Sequence, residues 1–453
     1  MDERADVIVL GMGPGGEEVA GRLAEAGVDV AGVEASLVGG ECPYWGCVPS
    51  KMMLRAALLL AEARRIPGMA GAAQVIPDWG PVAARIRDEA TDDWDDRVAV
   101  ERFEAKGGRF VRGRGHLEGP GRVSVEGRVI EAAAVVIATG TAPAVPPIPG
   151  LADLPFWTNR EAIEAKDLPA SLVVLGGGAI GLELGQAFAR FGVRVHVVEA
   201  EDRLLPGEEP EAGALLNEVL AAEGIEVSTG ARVVSARRHG ADLALTLEDG
   251  SVVSGERLLV ATGRRADLGA LGVGSVGLDD SAPFIAVNGH LGAAPGVWAV
   301  GDVTGVGAFT HVAVYQAAIA ATNILGRVGP EADYRALPRV TFTDPEVGSV
   351  GLSEAAALEG GLAVRTGSAR IPSSARGWIH KAGNEGLIKL VADAERGVLV
   401  GATSAGPAGG EVLSMLTLAV HAQVPLGALR RMIYAYPTFH RAVEDALRDL
   451  ADG

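Results

Sequence analysis

The chain of 453 residues contains two thiols, Cys42 and Cys47, within the stretch Gly39-Gly40-Glu41-Cys42-Pro43-Tyr44-Trp45-Gly46-Cys47-Val48-Pro49-Ser50-Lys51. A loop of four intervening residues can close a disulfide at the start of a helix. The helix N-terminus lowers a thiol pKa and so favours thiolate, the attacking species in exchange. Zinc explains the pair poorly, because two thiols with no nearby histidine pair do not complete a tetrahedral site. A secreted domain of this length stapled by disulfides would carry more cysteine. The compartment therefore reads as reducing and cytoplasmic, and the pair as reactive rather than structural.

Two phosphate-cradling patterns accompany the pair. Ala5-Asp6-Val7-Ile8-Val9-Leu10 reads as a buried parallel strand, Gly11-Met12-Gly13-Pro14-Gly15-Gly16 fits G-x-G-x-x-G, Glu17 to Ala26 is helix-like, and Val28 to Val33 is a second strand ending at Glu34. The pattern recurs as strand Ser171 to Leu175, turn Gly176-Gly177-Gly178-Ala179-Ile180-Gly181, helix Leu182 to Phe191 and strand Val193 to Val198 ending at Glu199. Each acid follows its first glycine by 23 residues. One such motif is weak evidence; two in the same context at the same offset are strong. Gly11 and Gly176 permit the turn, Gly13 and Gly178 let a pyrophosphate approach the backbone, and Gly16 and Gly181 let helix and strand pack closely. The helix N-termini supply N–H groups and partial positive charge. Glu34 and Glu199 suit ribose hydroxyls. A carboxylate at 199 repels a 2′-phosphate, which favours NAD over NADP; Arg203, four residues on, pulls the other way.

The remaining elements position these turns. The strands Val135 to Gly140 and Leu258 to Gly263 both end in Ala-Thr-Gly and bring the chain back under each nucleotide. Val297-Trp298-Ala299-Val300-Gly301-Asp302 is a third apolar strand ending in an acid. Thr141 to Gly150, with Pro143, Pro146, Pro147 and Pro149, reads as a linker. Beyond Pro330 a separate α+β domain is expected, with strands Arg339 to Phe342 and Gly386 to Val391 and helices Gly410 to Ala422 and Thr438 to Leu450. The run Asp92-Asp93-Trp94-Asp95-Asp96 reads as a solvated helical face.

Lys and Arg total 40 against 58 Asp and Glu, a net charge of −18, which excludes an electrostatic footprint for nucleic acid or for an anionic membrane surface. The charged start Met1-Asp2-Glu3-Arg4 has no signal-peptide core. The most apolar stretch, Gly305 to Gly326, contains Thr310, His311, Gln316 and Asn323 and reads as a buried helix rather than a membrane span.

Taken with Arg264-Arg265 and Gly301-Asp302, these motifs resemble the flavoprotein disulfide reductase family, which includes dihydrolipoyl dehydrogenase, glutathione reductase and mercuric reductase. The resemblance covers nearly the whole chain. It implies an α/β fold of two Rossmann-like nucleotide-binding domains plus a C-terminal α+β dimerisation domain: residues 1–149 and 266–334 for FAD with a central segment, 150–265 for NAD(P), and 335–453 for dimerisation. It further implies FAD at the first glycine turn and the nicotinamide cofactor at the second, with Gly140 and Gly263 beside them and Asp302 at the flavin side of FAD. Hydride then passes from nicotinamide to flavin, and electrons reach Cys47, the flavin-proximal sulfur, while Cys42 attacks substrate. Lys51 and Glu183 match a pair beside flavin and nicotinamide, where a buried cation favours the reduced anionic flavin and its carboxylate avoids an unpaired charge. The expected assembly is a homodimer whose site is completed across the interface.

One stretch departs from the family pattern. Where the disulfide reductases carry a His-Pro-Thr motif backed by a Glu, this chain reads Tyr434-Ala435-Tyr436-Pro437-Thr438-Phe439-His440-Arg441. Tyr436 takes the histidine position and Arg441 the glutamate position. A Tyr of pKa about 10 is a poor base at neutral pH, where a His near 6.5 is suited. Tyr436 can still donate a hydrogen bond. If the stretch is helical, His440 shares its face and can take over, oriented by Glu444. The chain has no third cysteine to deliver mercury. Pro43-Tyr44-Trp45 offers either stacking for a planar substrate such as a quinone or core packing. The leading expectation is an NADH-dependent FAD enzyme reducing a small disulfide or related electrophile. The alternatives are a quinone or dye reductase or transhydrogenase with an incidental cysteine pair, and a redox-sensing flavoprotein without turnover.

Overall fold

The computed structural model describes residues 3–452. Met1 and Asp2, read above as a charged start, and Gly453 lie outside the described residues. The chain divides into two units. The first gathers the chain up to Pro49, Ala84–Ala144 and Gly263–Asp333; the second gathers Ser50–Ala83, Val145–Thr262 and Tyr334 onward.

The first unit is organised around strand Val7–Leu10, whose four residues are all buried. It pairs in parallel with Val30–Glu34 on one side and Ala134–Ile137 on the other, inside a six-stranded sheet. Strand alternation explains why both faces are apolar. Val7 and Val9 point into a core shared with Val19, Leu23 and Ala317 of the helices Pro14–Glu25 and Thr310–Ile324. Ile8 and Leu10 point into another core, with Leu117, Val123 and Ile130 of a four-stranded sheet.

The second unit repeats the device. Ser171–Leu175 sits between Arg194–Val198 and Arg257–Val260 in a four-stranded parallel sheet, with Glu226–Ser228 at the edge. The region after residue 334 is a five-stranded antiparallel sheet covered by helices Gly409–His421 and Arg441–Asp452. A buried cation fastens this sheet to the segment before helix Pro210–Ala222. Lys389, 5 % exposed, has Nζ 2.9 Å from Glu209, 2.8 Å from Glu211 and 2.8 Å from Glu354.

The α/β class is as expected, and three local readings are corrected. The last helix begins at Arg441 rather than Thr438, because Pro437 and the turns around it hold Tyr436 to His440 out of helical geometry. The helix read over Gly305 to Gly326 occupies Thr310–Ile324. The acidic run 92–96 is solvated at Asp92, Asp93 and Asp95 but is not helical: Asp92, Asp93 and Trp94 have positive φ. Asp96, 8 % exposed, turns inward to accept the Val38 N–H at 2.7 Å and pair with Arg112 at 2.6 Å. No helix among the described residues is long and apolar enough to cross a membrane.

The glycine turns make a sharp prediction. A Cβ on Gly181 would collide with the Gly176 carbonyl oxygen, whereas one on Gly178 meets nothing within 4 Å. Gly181→Ala should therefore lower stability by about 1–3 kcal/mol, the range for overpacking. Gly178→Ala should stay within about 0.5 kcal/mol of wild type, as for changes away from packed features. Urea midpoints of the two variants compare them directly.

Candidate active site

Gly39 and Gly40, at φ +106° and +64°, bend the chain under Met12, whose carbonyl accepts the Gly39 N–H at 2.7 Å. The bend delivers Cys42 into the short helix Glu41–Tyr44 and places Cys47 at the first residue of helix Cys47–Arg65. Cys42 is half-buried and Cys47 exposed. Thr310 Oγ1, at the first turn of its own helix, lies 3.5 Å from Cys47 Sγ. The Cys42 thiol is pushed well above its ordinary range, first by its hydrogen bond with Cys47 and then by burial, and the Thr310 hydroxyl works against both. Of the alternatives left open for Tyr44 and Trp45, packing is what is found: they are 5 % and 8 % exposed, and their rings lie 5.8 Å apart.

Lys51 follows Cys47 by one turn on the same helix. Its Nζ is 2.7 Å from Glu183 Oε2. Glu183, 5 % exposed, uses Oε1 to accept the Phe342 N–H at 2.8 Å.

The two strand-end acids are held alike. Glu34 accepts the Met12 N–H at 2.8 Å and the Ser36 N–H at 2.7 Å. Glu199 accepts the Gly177 N–H at 2.6 Å and the Glu201 N–H at 2.8 Å. Each carboxylate thus ties the glycine turn to its own strand end. Arg203 is committed elsewhere, to the Pro206 carbonyl at 2.9 Å and Asp202 at 3.2 Å. Asp302 accepts the Thr141 hydroxyl at 3.2 Å, and Thr141 Oγ1 in turn accepts from Arg264 Nε at 2.9 Å. Burial raises the Asp302 pKa against the pull of Arg264 and Thr141. Gly140 and Gly263 both have positive φ, at +64° and +114°, and face open space.

Dinucleotides fit these turns. The middle glycine of each is where a pyrophosphate would lie. A Cβ on Gly178 meets nothing, and one on Gly13 has as its nearest atom Gly40 Cα at 3.9 Å. Both positions sit at helix N-termini without a side-chain cap.

The C-terminal candidates are not arranged as the helical reading required. Tyr436 is 69 % exposed and lies in a turn with His440, outside the helix that begins at Arg441. The four-residue spacing therefore puts them on no common helical face. Glu444 pairs at 3.0 Å with Arg441 and at 3.6 Å with Arg448, so it is taken up by arginines rather than by His440. The Arg441 guanidinium lies 5.4 Å from the centre of the Tyr436 ring.

A family model described as pyridine nucleotide-disulphide oxidoreductase matches residues 5–317, and one described as the dimerisation domain of that family matches 337–447. The chain belongs to this family of oxidoreductases, flavoproteins that use FAD and a nicotinamide nucleotide. It is 34 % identical to the dihydrolipoyl dehydrogenase of Thermus scotoductus, over 98 % of this chain and 97 % of that one. It is 33 % identical to the mercuric reductase of Streptomyces lividans, over 97 % and 94 %. The crystal structure of LpdA from Mycobacterium tuberculosis superposes with a TM-score of 0.86 at 27 % identity, covering 99 % of both chains.

The raised Cys42 pKa implies that this sulfur is a thiol at neutral pH and ionises only in more alkaline solution. In dithiothreitol-reduced protein, iodoacetamide labelling of Cys42 should be slow at pH 7 and still rising about tenfold per pH unit above pH 9. Cys47→Ala removes the largest cause, the side-chain hydrogen bond, and should move that rise to lower pH. A rate that is flat from pH 7 to 10 would contradict the assignment.

Proposed function

We propose that the chain takes electrons from NADH and delivers them to the Cys42–Cys47 pair, which reduces a small disulfide or related electrophile. The observation that carries this reading is the placement of the two cysteines at the head of a helix, with Cys47 its first residue, that presents the ion-paired Lys51 one turn later. Gly11, Gly13, Gly16, Glu34, Gly140 and Asp302 would hold FAD. Gly176, Gly178, Gly181, Glu199 and Gly263 would hold the nicotinamide cofactor. With Glu199 in place and Arg203 engaged by Pro206 and Asp202, NADH is favoured over NADPH. FAD supplies the two-electron carrier that connects a hydride donor to a disulfide. Lys51, ion-paired with Glu183, would offer a positive charge where reduction of a bound flavin adds a negative one.

The reduced pair then works by exchange. Cys42, which its raised pKa keeps protonated at neutral pH, must first give up its proton; as thiolate it attacks one sulfur of the substrate disulfide and expels the other as thiolate. Cys47 gives up its proton, attacks Cys42 in the mixed disulfide, restores the internal disulfide and releases the second thiolate; the two protons given up by Cys42 and Cys47 complete the two product thiols. In a homodimer with the exchange site completed across the interface, Tyr436 of the partner subunit would donate a hydrogen bond to the departing sulfur, without serving as base at neutral pH. The reducing compartment such a pair needs favours the cytoplasm.

Tyr in place of His favours a second reading, in which a quinone, dye or second nucleotide takes electrons without any departing sulfur to protonate. Anaerobic titration with NADH separates the two. Uptake of four electrons per subunit, with two thiols appearing, is expected. Uptake of two electrons with no new thiols would overturn the cysteine route. Cys42→Ser should then abolish turnover with disulfides by at least about 10³-fold, as expected when a nucleophile is lost.

A further inference from the structure

The Lys51–Glu183 pair has a third member that no sequence motif marks. Glu183 divides its two oxygens between the Lys51 ammonium at 2.7 Å and the Phe342 N–H at 2.8 Å. The ring of the same phenylalanine faces the same ammonium, with Nζ 4.6 Å from the ring centroid. One residue thus grips the acid through its backbone and the base through its π-face, the geometry of a cation–π contact.

Phe342 is itself fixed without help from Lys51. Two residues on, Asp344 donates its N–H to Gln186 Oε1 at 2.8 Å and accepts from Gln186 Nε2 through its carbonyl at 2.8 Å. Its carboxylate is held by Arg190 at 2.8 Å and by Arg65 at 2.7 Å. Glu183, Gln186 and Arg190 recur along one face of helix Ala179–Arg190, so a single helical stripe zips residues 342–344 in place.

This matters because lysine is a compact charge on a flexible four-carbon stem. Glu183 and Ser50, the latter at 3.3 Å, engage two of the three ammonium hydrogens. A further carboxylate would steady the head but cancel its charge. A ring steadies it and leaves the charge in force.

We propose that Phe342 is a positioning residue that clamps the Lys51 ammonium against Glu183. The inference rests on reading that pair as functional, and it deepens that reading by naming what aims the cation. The test uses the holoenzyme and two substitutions. Phe342→Leu keeps the N–H and removes the ring, and Phe342→Tyr keeps both. Brief acetic anhydride labelling followed by peptide mass spectrometry reports Lys51, with Lys106 and Lys381 as internal references.

Phe342→Leu should raise Lys51 labelling about threefold or more relative to the references and lower kcat for NADH oxidation about tenfold. The KM for NADH should change less than about twofold, because the ring is argued to act on the charge rather than on nucleotide binding. Phe342→Tyr should restore both the labelling and kcat. If the Leu variant melts more than a few degrees early, Phe342→Met supplies the volume without the ring. Wild-type labelling and kcat in the ring-less variants would overturn the clamp, as would failure of Tyr to rescue. Loss of the clamp with four-electron uptake intact would leave the electron route standing. Ring-dependent labelling with only two-electron uptake would do the reverse.

Discussion

At two places in this chain a strand hands over to a helix so abruptly that the two backbones touch. A side chain on Gly16 would strike the carbonyl of Gly11, and one on Gly181 that of Gly176. Everything around each turn follows from that contact. With the helix start so close to the strand end, its first N–H groups point into open space above the sheet, and the acid ending the next strand reaches back to the turn. Glu34 thereby locks onto Met12 and Glu199 onto Gly177. The same geometry brings the loop of Gly39 and Gly40 against Gly13, which fixes where the cysteine segment can begin.

The second organising theme is that several charges drawn toward the interior are paired. Lys51 is met by Glu183 and by a ring, and Lys389 by three carboxylates. Asp344 is met by two arginines, and Asp302 by a hydroxyl that an arginine orients. Removing one partner of such a group leaves a desolvated charge and costs several kcal/mol, which is more than the assembled pair contributes to stability. These networks therefore define where segments sit more than they add to the free energy of folding.

Much of this was legible in the sequence because it depends on local necessity. Only glycine tolerates both the φ of Gly11 or Gly176 and the contact beneath Gly16 or Gly181, and an apolar strand must precede each turn. Both turns and their flanking strands are read that way; the domain architecture is read from the family resemblance, and the cysteine loop from the number and spacing of its thiols. Partners distant in sequence left no such trace. Phe342 meets Glu183 from 159 residues away, and Thr310 meets Cys47 from 263; neither lies in a motif. At 92–96 composition rightly suggests solvation for Asp92, Asp93 and Asp95, but it gives no sign of the left-handed turn that swings Asp96 inward to meet Arg112. The helical reading of Tyr436 to His440 failed because Pro437 disfavours helix in the residue before it.

The affinity of Cys42 for its proton carries a consequence for the energetics of electron storage. With its pKa raised by the Cys47 hydrogen bond and by burial, Cys42 favours the protonated form when the internal disulfide is opened by two electrons. The midpoint potential of the pair must then fall with rising pH by about 30 mV per unit for each proton gained. Acidity acts here as a thermodynamic brake: it stabilises the opened pair and weakens it as a reductant. In more alkaline surroundings the same two sulfurs give up their electrons more readily. The burial of one side chain beside its neighbour thus couples the driving force of the pair to the proton concentration around it.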